Sequence, residues 1–205
     1  MKWNPRFRRQ VPTGNEATDV HVVSLAPHGS AYPVSRLAYL QYVRSGMLKV
    51  FSPTGQAEDS TYSIQYQANV ARYAACLASA VEQELGGEIV DAILEVPSSR
   101  DLNKPYTQAI LGRYPNAVNL TKHLQRLGSV KSGEGASSAE VLADTIAMGL
   151  PPLENIHKLV IVDDVLSSGN AVGAVIARLQ NSGLPDTCQI CLAVPLVVFT
   201  TDSDV

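Results

Sequence analysis

The chain has 205 residues, of which 45% are hydrophobic, 16 are Lys or Arg and 19 are Asp or Glu, so its formal net charge is −3. This length and hydrophobic fraction suit one folded domain with a full core and exclude a generally disordered chain. The mild acidity gives no general attraction to nucleic acid, so a nucleic-acid partner is not expected, and no apolar run reaches the roughly 18 residues that span a bilayer.

The first 60 residues predict an arm followed by a small segment. Residues 1–18 are polar and basic and predict a flexible, frayed arm. They lack the apolar stretch of a secretory signal, and three cysteines are too few for a disulfide scaffold, so we expect a cytoplasmic protein without a membrane partner. Within residues 19–60, Asp19–Leu25 predicts a strand, and apolar residues spaced from Leu37 to Met47 predict a helix.

Residues 61–205 are expected to form the core. An apolar stripe predicts a long helix from about Thr61 to Leu85, which Gly86 and Gly87 end. Strands and helices then alternate: strands are predicted at Ile89–Val96, Ala117–Leu120, Lys158–Val165 and Cys188–Phe199, and helices at Tyr106–Leu111, Ser138–Met148 and Ala171–Gln180. This alternation predicts a single α/β domain with a mostly parallel, twisted sheet of about five strands and helices on both faces.

The most informative segment runs from Lys158 to Val172. The four apolar residues Leu159–Val162 predict a buried strand. Asp163 and Asp164 follow at the carboxyl end of this strand, the edge where open α/β sheets bind ligands. The small residues of 167–171 then predict a turn into a helix, whose N-terminal N–H groups suit a phosphate. Carboxylates accept hydrogen bonds from sugar hydroxyls or hold Mg²⁺. Such a cradle beside two acids fits a ribose 5-phosphate.

This segment resembles the signature with which type I phosphoribosyltransferases bind phosphoribosyl diphosphate (PRPP). The resemblance implies an enzyme that transfers the 5-phosphoribosyl group from PRPP to a nitrogenous acceptor, releases diphosphate and uses Mg²⁺. It implies that Asp163 and Asp164 contact the ribose hydroxyls and the metal. The residues that would wrap the 5-phosphate are Ser167, Ser168, Gly169, Asn170 and Ala171. Because relatives pair through this core, it also implies a homodimer, with residues 19–60 as a hood.

Two further segments stand where the family binds the diphosphate. Ser98, Ser99 and Arg100 follow the first core strand and are suitable anion donors. The Gly-rich stretch from Leu127 to Gly135 stands where the family keeps a flexible catalytic loop, and its Lys131 would reach the diphosphate as the loop closes. Arg100 and Lys131 are therefore the predicted catalytic residues. Lys122 and Arg126 remain alternatives to Lys131.

The chain departs from the family pattern in ways that leave the acceptor and the chemistry open. Ala171 offers no hydroxyl where many members have Thr or Ser, and Ser167 replaces the acid that enzymes for 6-oxopurines use as proton acceptor, so we expect a different acceptor. A second hypothesis is a PRPP- or nucleotide-binding regulator that does no chemistry. A third is a competence- or defence-associated protein of the same fold.

Other motifs favour plainer interpretations. An ordinary strand and turn is the plain alternative for the acid pair, although adjacent carboxylates are costly without a ligand. The absence of G-x-x-x-x-G-K-[ST] argues against a P-loop enzyme. Cys188-Gln-Ile-Cys191 is interpreted as part of a buried strand with the two thiols on opposite sides, not as a redox or zinc site. The four histidines are scattered and are not expected to bind a metal.

Overall fold

The computed structural model describes residues 6–13, 16–28, 60–97, 103–126, 143 and 146–198. Nine strands and three α-helices lie in these ranges. In chain order they are β1 (Arg6–Pro12), β2 (Ala17–His28), α1 (Ser60–Leu85), β3 (Ala92–Glu95), α2 (Lys104–Arg113), β4 (Val118–Asn119), β5 (Leu124–Arg126), β6 (Ile146–Met148), β7 (Lys158–Val162), β8 (Val165–Leu166), α3 (Asn170–Asn181) and β9 (Gln189–Val198). A 3₁₀ turn, Thr121–His123, separates β4 from β5. The predicted helix over 37–47 lies outside the described residues.

The main sheet has seven strands in the order β1-β2-β9-β7-β3-β4, with β8 paired to β9. Among the described strands of this sheet, the β1–β2 pair is antiparallel and the remaining pairs are parallel. The prediction of a mostly parallel sheet is therefore confirmed. The expected count of about five strands is too low, because an N-terminal hairpin extends one edge and the short β8 adds a pairing beside β9.

The core lies on both faces of this sheet, as predicted. Alternate residues of β7 take part in two separate clusters: Leu159 and Ile161 pack with α3, whereas Val160 and Val162 pack with α1 and α2. All four side chains are fully buried. A central parallel strand must be apolar on both sides because helices cover both faces, which explains the unbroken run that the sequence shows.

The connections place a topological switch point between β3 and β7. From β3 the chain passes through α2 to β4 at one side of the sheet, and α2 packs on the same face as α1. From β7 it passes through α3 to β9 on the other side, and α3 packs on the opposite face. Two adjacent parallel strands whose connections leave in opposite directions open a crevice at their carboxyl ends, and this crevice is where such folds bind ligands.

The N-terminal region differs from the prediction. Residues 6–12 form an edge strand whose register runs from Arg6 opposite Val23 to Pro12 opposite Ala17, so a frayed arm is wrong for this stretch. The predicted strand at 19–25 is confirmed but belongs to β2 inside the main sheet, paired with β9, rather than to a separate hood. The rest of the proposed hood, 29–59, lies outside the described residues. Pairing with β2 stabilises β1, and this pairing cannot be predicted from the composition of residues 6–12 alone.

Two other predictions have opposite outcomes. The long helix is confirmed as α1, and Gly86 and Gly87 end it with left-handed φ angles of 60° and 81°. The predicted helix over 138–148 is wrong at its end, because Ile146–Met148 form β6 and pair antiparallel with β5. Among the described helices, none has both the length and the apolar character needed to cross a membrane.

Candidate functional site

The acid pair lies at the switch point. Asp163 directly follows β7, and its backbone N–H donates to the carbonyl of Ala193 on β9 at 3.1 Å. On the other side, the N–H of Val96, just after β3, donates to the carbonyl of Val162 at 2.8 Å. The ends of β3 and β7 are thus joined next to Asp163, so the predicted carboxylates stand at the crevice.

Asp163 and Asp164 are in unequal environments. The side chain of Asp163 is buried, with 7% of the residue exposed, whereas Asp164 is partly exposed. Burial and the neighbouring Asp164 carboxylate raise the pKa of Asp163 well above its ordinary value. Burial also raises the pKa of Asp164. The pair therefore holds protons more tightly than free aspartates, and Asp164 is the more exposed of its two members.

Asn103 supports Asp163 and was not identified from the sequence. Its Nδ2 donates to the carbonyl of Val96 at 2.7 Å and lies 3.5 Å from Oδ1 of Asp163. The same Oδ1 accepts the backbone N–H of Asp164 at 2.9 Å. Asn103 is 1% exposed, and its Oδ1 has no partner among the described residues. The amide therefore links the loop after β3 to the acid pair.

A sequence signal for Asn103 was present. Asn103 precedes Lys104-Pro105 at the start of α2, the composition of a helix N-terminus. We expect an asparagine in this place to cap its own helix, but its side chain makes no capping hydrogen bond. Its side-chain amide instead contacts Val96, just after β3, and Asp163, just after β7. Only the tertiary structure reveals these contacts.

The predicted phosphate turn follows the acids at the same edge. Ser167 and Ser168 are exposed, and Gly169 has a left-handed φ of 84°, a conformation that favours glycine. α3 begins at Asn170, whose N–H donates to Oγ of Ser168 at the long distance of 3.4 Å. No acidic side chain occupies the first turn of α3, and Ala171 is exposed. Because the first N–H groups of a helix have no partner within it, this end suits an anion.

The N-terminal hairpin contacts this turn. Nη2 of Arg9 donates to the carbonyl oxygen of Ser167 at 2.6 Å. A Cβ atom added to Gly169 would lie 3.1 Å from Cγ1 of Val11. The turn is therefore held between the acid pair on one side and β1 on the other.

Some predicted site residues lie outside the described part of the chain. They are Ser98, Ser99, Arg100 and Lys131. Of the alternatives to Lys131, Lys122 is exposed in the turn after β4. That turn reaches the end of β3, because Oγ of Thr121 accepts the N–H of Glu95 at 3.0 Å.

The cysteine pair lacks the properties of a redox or metal site. Cys191 packs in the core on the α1–α2 side, and Cys188 packs against the cluster on the α3 side, so the predicted opposite orientation is confirmed. Burial raises the pKa of Cys188 to about 11 and that of Cys191 to about 12, which disfavours the reactive thiolate. In the described ranges, no group of three or more His, Cys, Asp or Glu residues is arranged to hold a metal ion.

Comparison with known proteins shows a distant structural likeness. No protein-family model matches the chain, and no curated protein matches it. Among solved structures, the chain is similar to a crystal structure of a hypoxanthine phosphoribosyltransferase from Staphylococcus aureus, with 11% identity and a TM-score of 0.37. The likeness covers 63% of this chain and 62% of that one, less than two thirds of its length. So distant a likeness says nothing of substrate or activity, which have to be inferred from this chain's own residues.

Proposed function

We propose that the chain binds the 5-phosphoribosyl group of PRPP at the switch point and transfers it to a nitrogenous acceptor. The observation that carries the proposal is the order of groups along one edge of the sheet. The acids Asp163 and Asp164 stand at the end of β7, and an exposed serine turn leads from them into the N-terminus of α3. Groups that bind hydroxyls are thus followed by groups that bind a phosphate. This order matches the ribose hydroxyls and the 5-phosphate of a ribose 5-phosphate.

The two ends of the ligand would meet different groups. The 5-phosphate would accept hydrogen bonds from the backbone of 168–171 and from the hydroxyls of Ser167 and Ser168. The partly exposed Asp164 would accept hydrogen bonds from the ribose hydroxyls. Asp163 is buried and lies next to Asn103. It would orient Asp164 and accept a hydrogen bond from a ribose hydroxyl once the ligand enters. Binding at both ends would fix the anomeric carbon for reaction.

The residues present fit a Mg²⁺ ion that arrives with the substrate. Mg²⁺ in phosphate-transfer sites is held by one or two carboxylates together with phosphate oxygens and water. Asp163 and Asp164 supply two carboxylates, and Asp164 is the more exposed of the two. When bound, the ion would neutralise charge on the diphosphate.

In the proposed reaction, the bond from the anomeric carbon to the diphosphate oxygen breaks, and diphosphate leaves with the electron pair. The acceptor nitrogen then forms its bond to the same carbon and loses a proton. Ser98–Arg100 and Lys131 remain the proposed donors to the leaving group. We expect the cationic transition state to require the exclusion of water by the loop that carries Lys131.

A second candidate is a protein that binds PRPP or a nucleotide without chemistry. The burial of Asp163 favours it, because ribose hydroxyls would reach Asp164 more readily than Asp163. The two candidates share the phosphate turn and differ in whether diphosphate is released.

Binding and release test the proposal together. We expect PRPP with Mg²⁺ to bind the wild-type chain in calorimetry, and Asp163→Asn combined with Asp164→Asn to weaken the affinity at least tenfold, about 1.4 kcal/mol. Asp186→Asn, an exposed aspartate ahead of β9 at the opposite edge, is the matched control and should change the affinity less than twofold.

Diphosphate release against a panel of nitrogenous bases separates the candidates. Release with one base supports the transferase. Binding without release across the panel supports the non-catalytic protein. If PRPP does not bind, or if the double variant binds as tightly as wild type, the proposed site is wrong.

A further inference from the structure

The N-terminal strand carries a charged residue in an otherwise apolar row. Side chains alternate along β1, and Phe7 and Val11 both pack in the core on the α3 side. Arg9 lies between them at the same spacing, on the same face of the strand. An arginine in such a row is costly to bury unless polar groups accept hydrogen bonds from its guanidinium. Its guanidinium reaches the Ser167 carbonyl at 2.6 Å.

This hydrogen bond sets the direction of a peptide plane. In a trans peptide the C=O of Ser167 and the N–H of Ser168 point in opposite directions, and the described residues contain no cis peptide bond. With the carbonyl oxygen held toward β1 by Arg9, the Ser168 N–H points to the other side of the turn. If the plane flipped, the carbonyl oxygen would face that side instead and would repel an anion.

A second contact from the same strand fixes the neighbouring residue. Val11 lies against Gly169, where an added Cβ would come within 3.1 Å of Cγ1 of the valine. Gly169 has a left-handed φ, so the turn depends on a conformation that few residues adopt. Arg9 and Val11 thus hold two consecutive parts of the turn from one strand.

We propose that β1 is part of the binding site and that Arg9 is a positioning residue, which holds the Ser167–Ser168 peptide in the orientation that accepts an anion. The proposal rests on the proposed function for the identity of the ligand, a sugar phosphate. A charged donor on the Ser167 carbonyl also polarises the peptide and strengthens the Ser168 N–H as a donor. Arg9 acts through the turn and needs no contact with the phosphate.

The test compares neighbouring arginines. Arg9→Met removes the charge and the donors, and Arg9→Gln serves in its place if the methionine variant does not fold. Arg8→Met is the matched control, because Arg8 is exposed on the other face and pairs with Asp19. We expect Arg9→Met or Arg9→Gln to weaken PRPP binding at least tenfold, Arg9→Lys to recover part of the affinity, and Arg8→Met to change it less than twofold. Thermal unfolding of each variant shows whether a loss is merely structural.

A ligand-free measurement separates this inference from the proposed function. The amide resonance and hydrogen exchange of Ser168 are compared between wild type and the Arg9 variant. If PRPP binds both equally well, Arg9 has no positioning role and the inference is overturned, while the proposed function stands. If wild type does not bind PRPP, the proposed function fails. In that case a changed Ser168 amide still supports the positioning role of Arg9, and an unchanged one overturns it.

Discussion

The two ends of β7 both have carboxylates, but the carboxylates are bound in different ways. At the amino end, Oδ2 of Asp91 accepts the backbone N–H groups of His157 and Lys158, each at 2.8 Å. Lys158 also pairs with Glu88. At the carboxyl end, Oδ1 of Asp163 accepts the N–H of Asp164 at 2.9 Å and lies 3.5 Å from Nδ2 of Asn103, and the Asp163 carboxyl group also hydrogen-bonds with the carboxyl group of Asp164.

The difference separates a structural carboxylate from one suited to a ligand. Asp91 joins two chain segments and has two short backbone donors, so nothing further is needed to explain it. Asp163 is more buried and has one short backbone donor where Asp91 has two, and burial together with the Asp164 carboxylate raises its pKa. A ligand that brings hydroxyl groups would supply the missing donors. The carboxyl end is therefore the end that favours binding.

The largest expected effect is on stability at the amino end. Asp91→Ala should lower the free energy of unfolding by about 3 kcal/mol, because two backbone N–H groups lose their acceptor. Denaturant unfolding measures this loss. Glu88→Gln is the control: its side chain is 60% exposed, so removal of this ion pair should cost about 0.5 kcal/mol or less. Equal losses in the two variants would contradict the structural role assigned to Asp91.

A smaller loss is expected at the phosphate turn. Gly169→Ala should lower the free energy of unfolding by about 2 kcal/mol, because a left-handed φ strains alanine and its Cβ would crowd Val11. Gly183→Ala is the matched control, since Gly183 has a φ of 98° but open space around its Cβ. It should cost about 1 kcal/mol from strain alone. If the two losses are the same, β1 does not pack on the turn.

The smallest effect is a change in pH dependence. Because the pKa of Asp163 is raised in the folded state, its contribution to stability is fully present below the ordinary aspartate pKa and is lost as the pH rises through the raised value. Asp163→Asn cannot ionise and should remove that loss. We expect the variant to equal wild type near pH 3 and to be the more stable of the two at pH 7.

Unfolding curves across this range measure the difference between Asp163→Asn and wild type. A variant that is less stable than wild type at every pH would instead show that the Asp163 carboxylate stabilises the fold as Asp91 does.

Much of the central architecture was predictable from local pattern. The four apolar residues before Asp163 predict a buried strand, and the carboxylates after it predict a polar strand end at the binding edge. Gly86 and Gly87 predict the end of α1 because glycine adopts left-handed angles at little cost. These features depend on neighbours in sequence.

The failures have a common physical cause. Arg6–Pro12 is mostly polar, with three arginines, and its pairing with β2 makes it a strand. The short β6 likewise depends on its pairing with β5. Asn103 stands at the start of α2, yet its amide binds groups 7 and 60 residues away along the chain. Partners so remote in sequence leave no local signal.

The sequence by itself determined which segments are apolar on both sides, where the acids and small residues follow a strand, and where α1 ends, because these properties follow from neighbouring side chains. The tertiary structure alone decided that β3 and β7 adjoin at a switch point, that Asp163 is buried while Asp164 is partly open, and that Arg9 reaches Ser167. Those outcomes depend on strand order and on packing between distant segments, since burial and hydrogen-bond partners are properties of the assembled sheet.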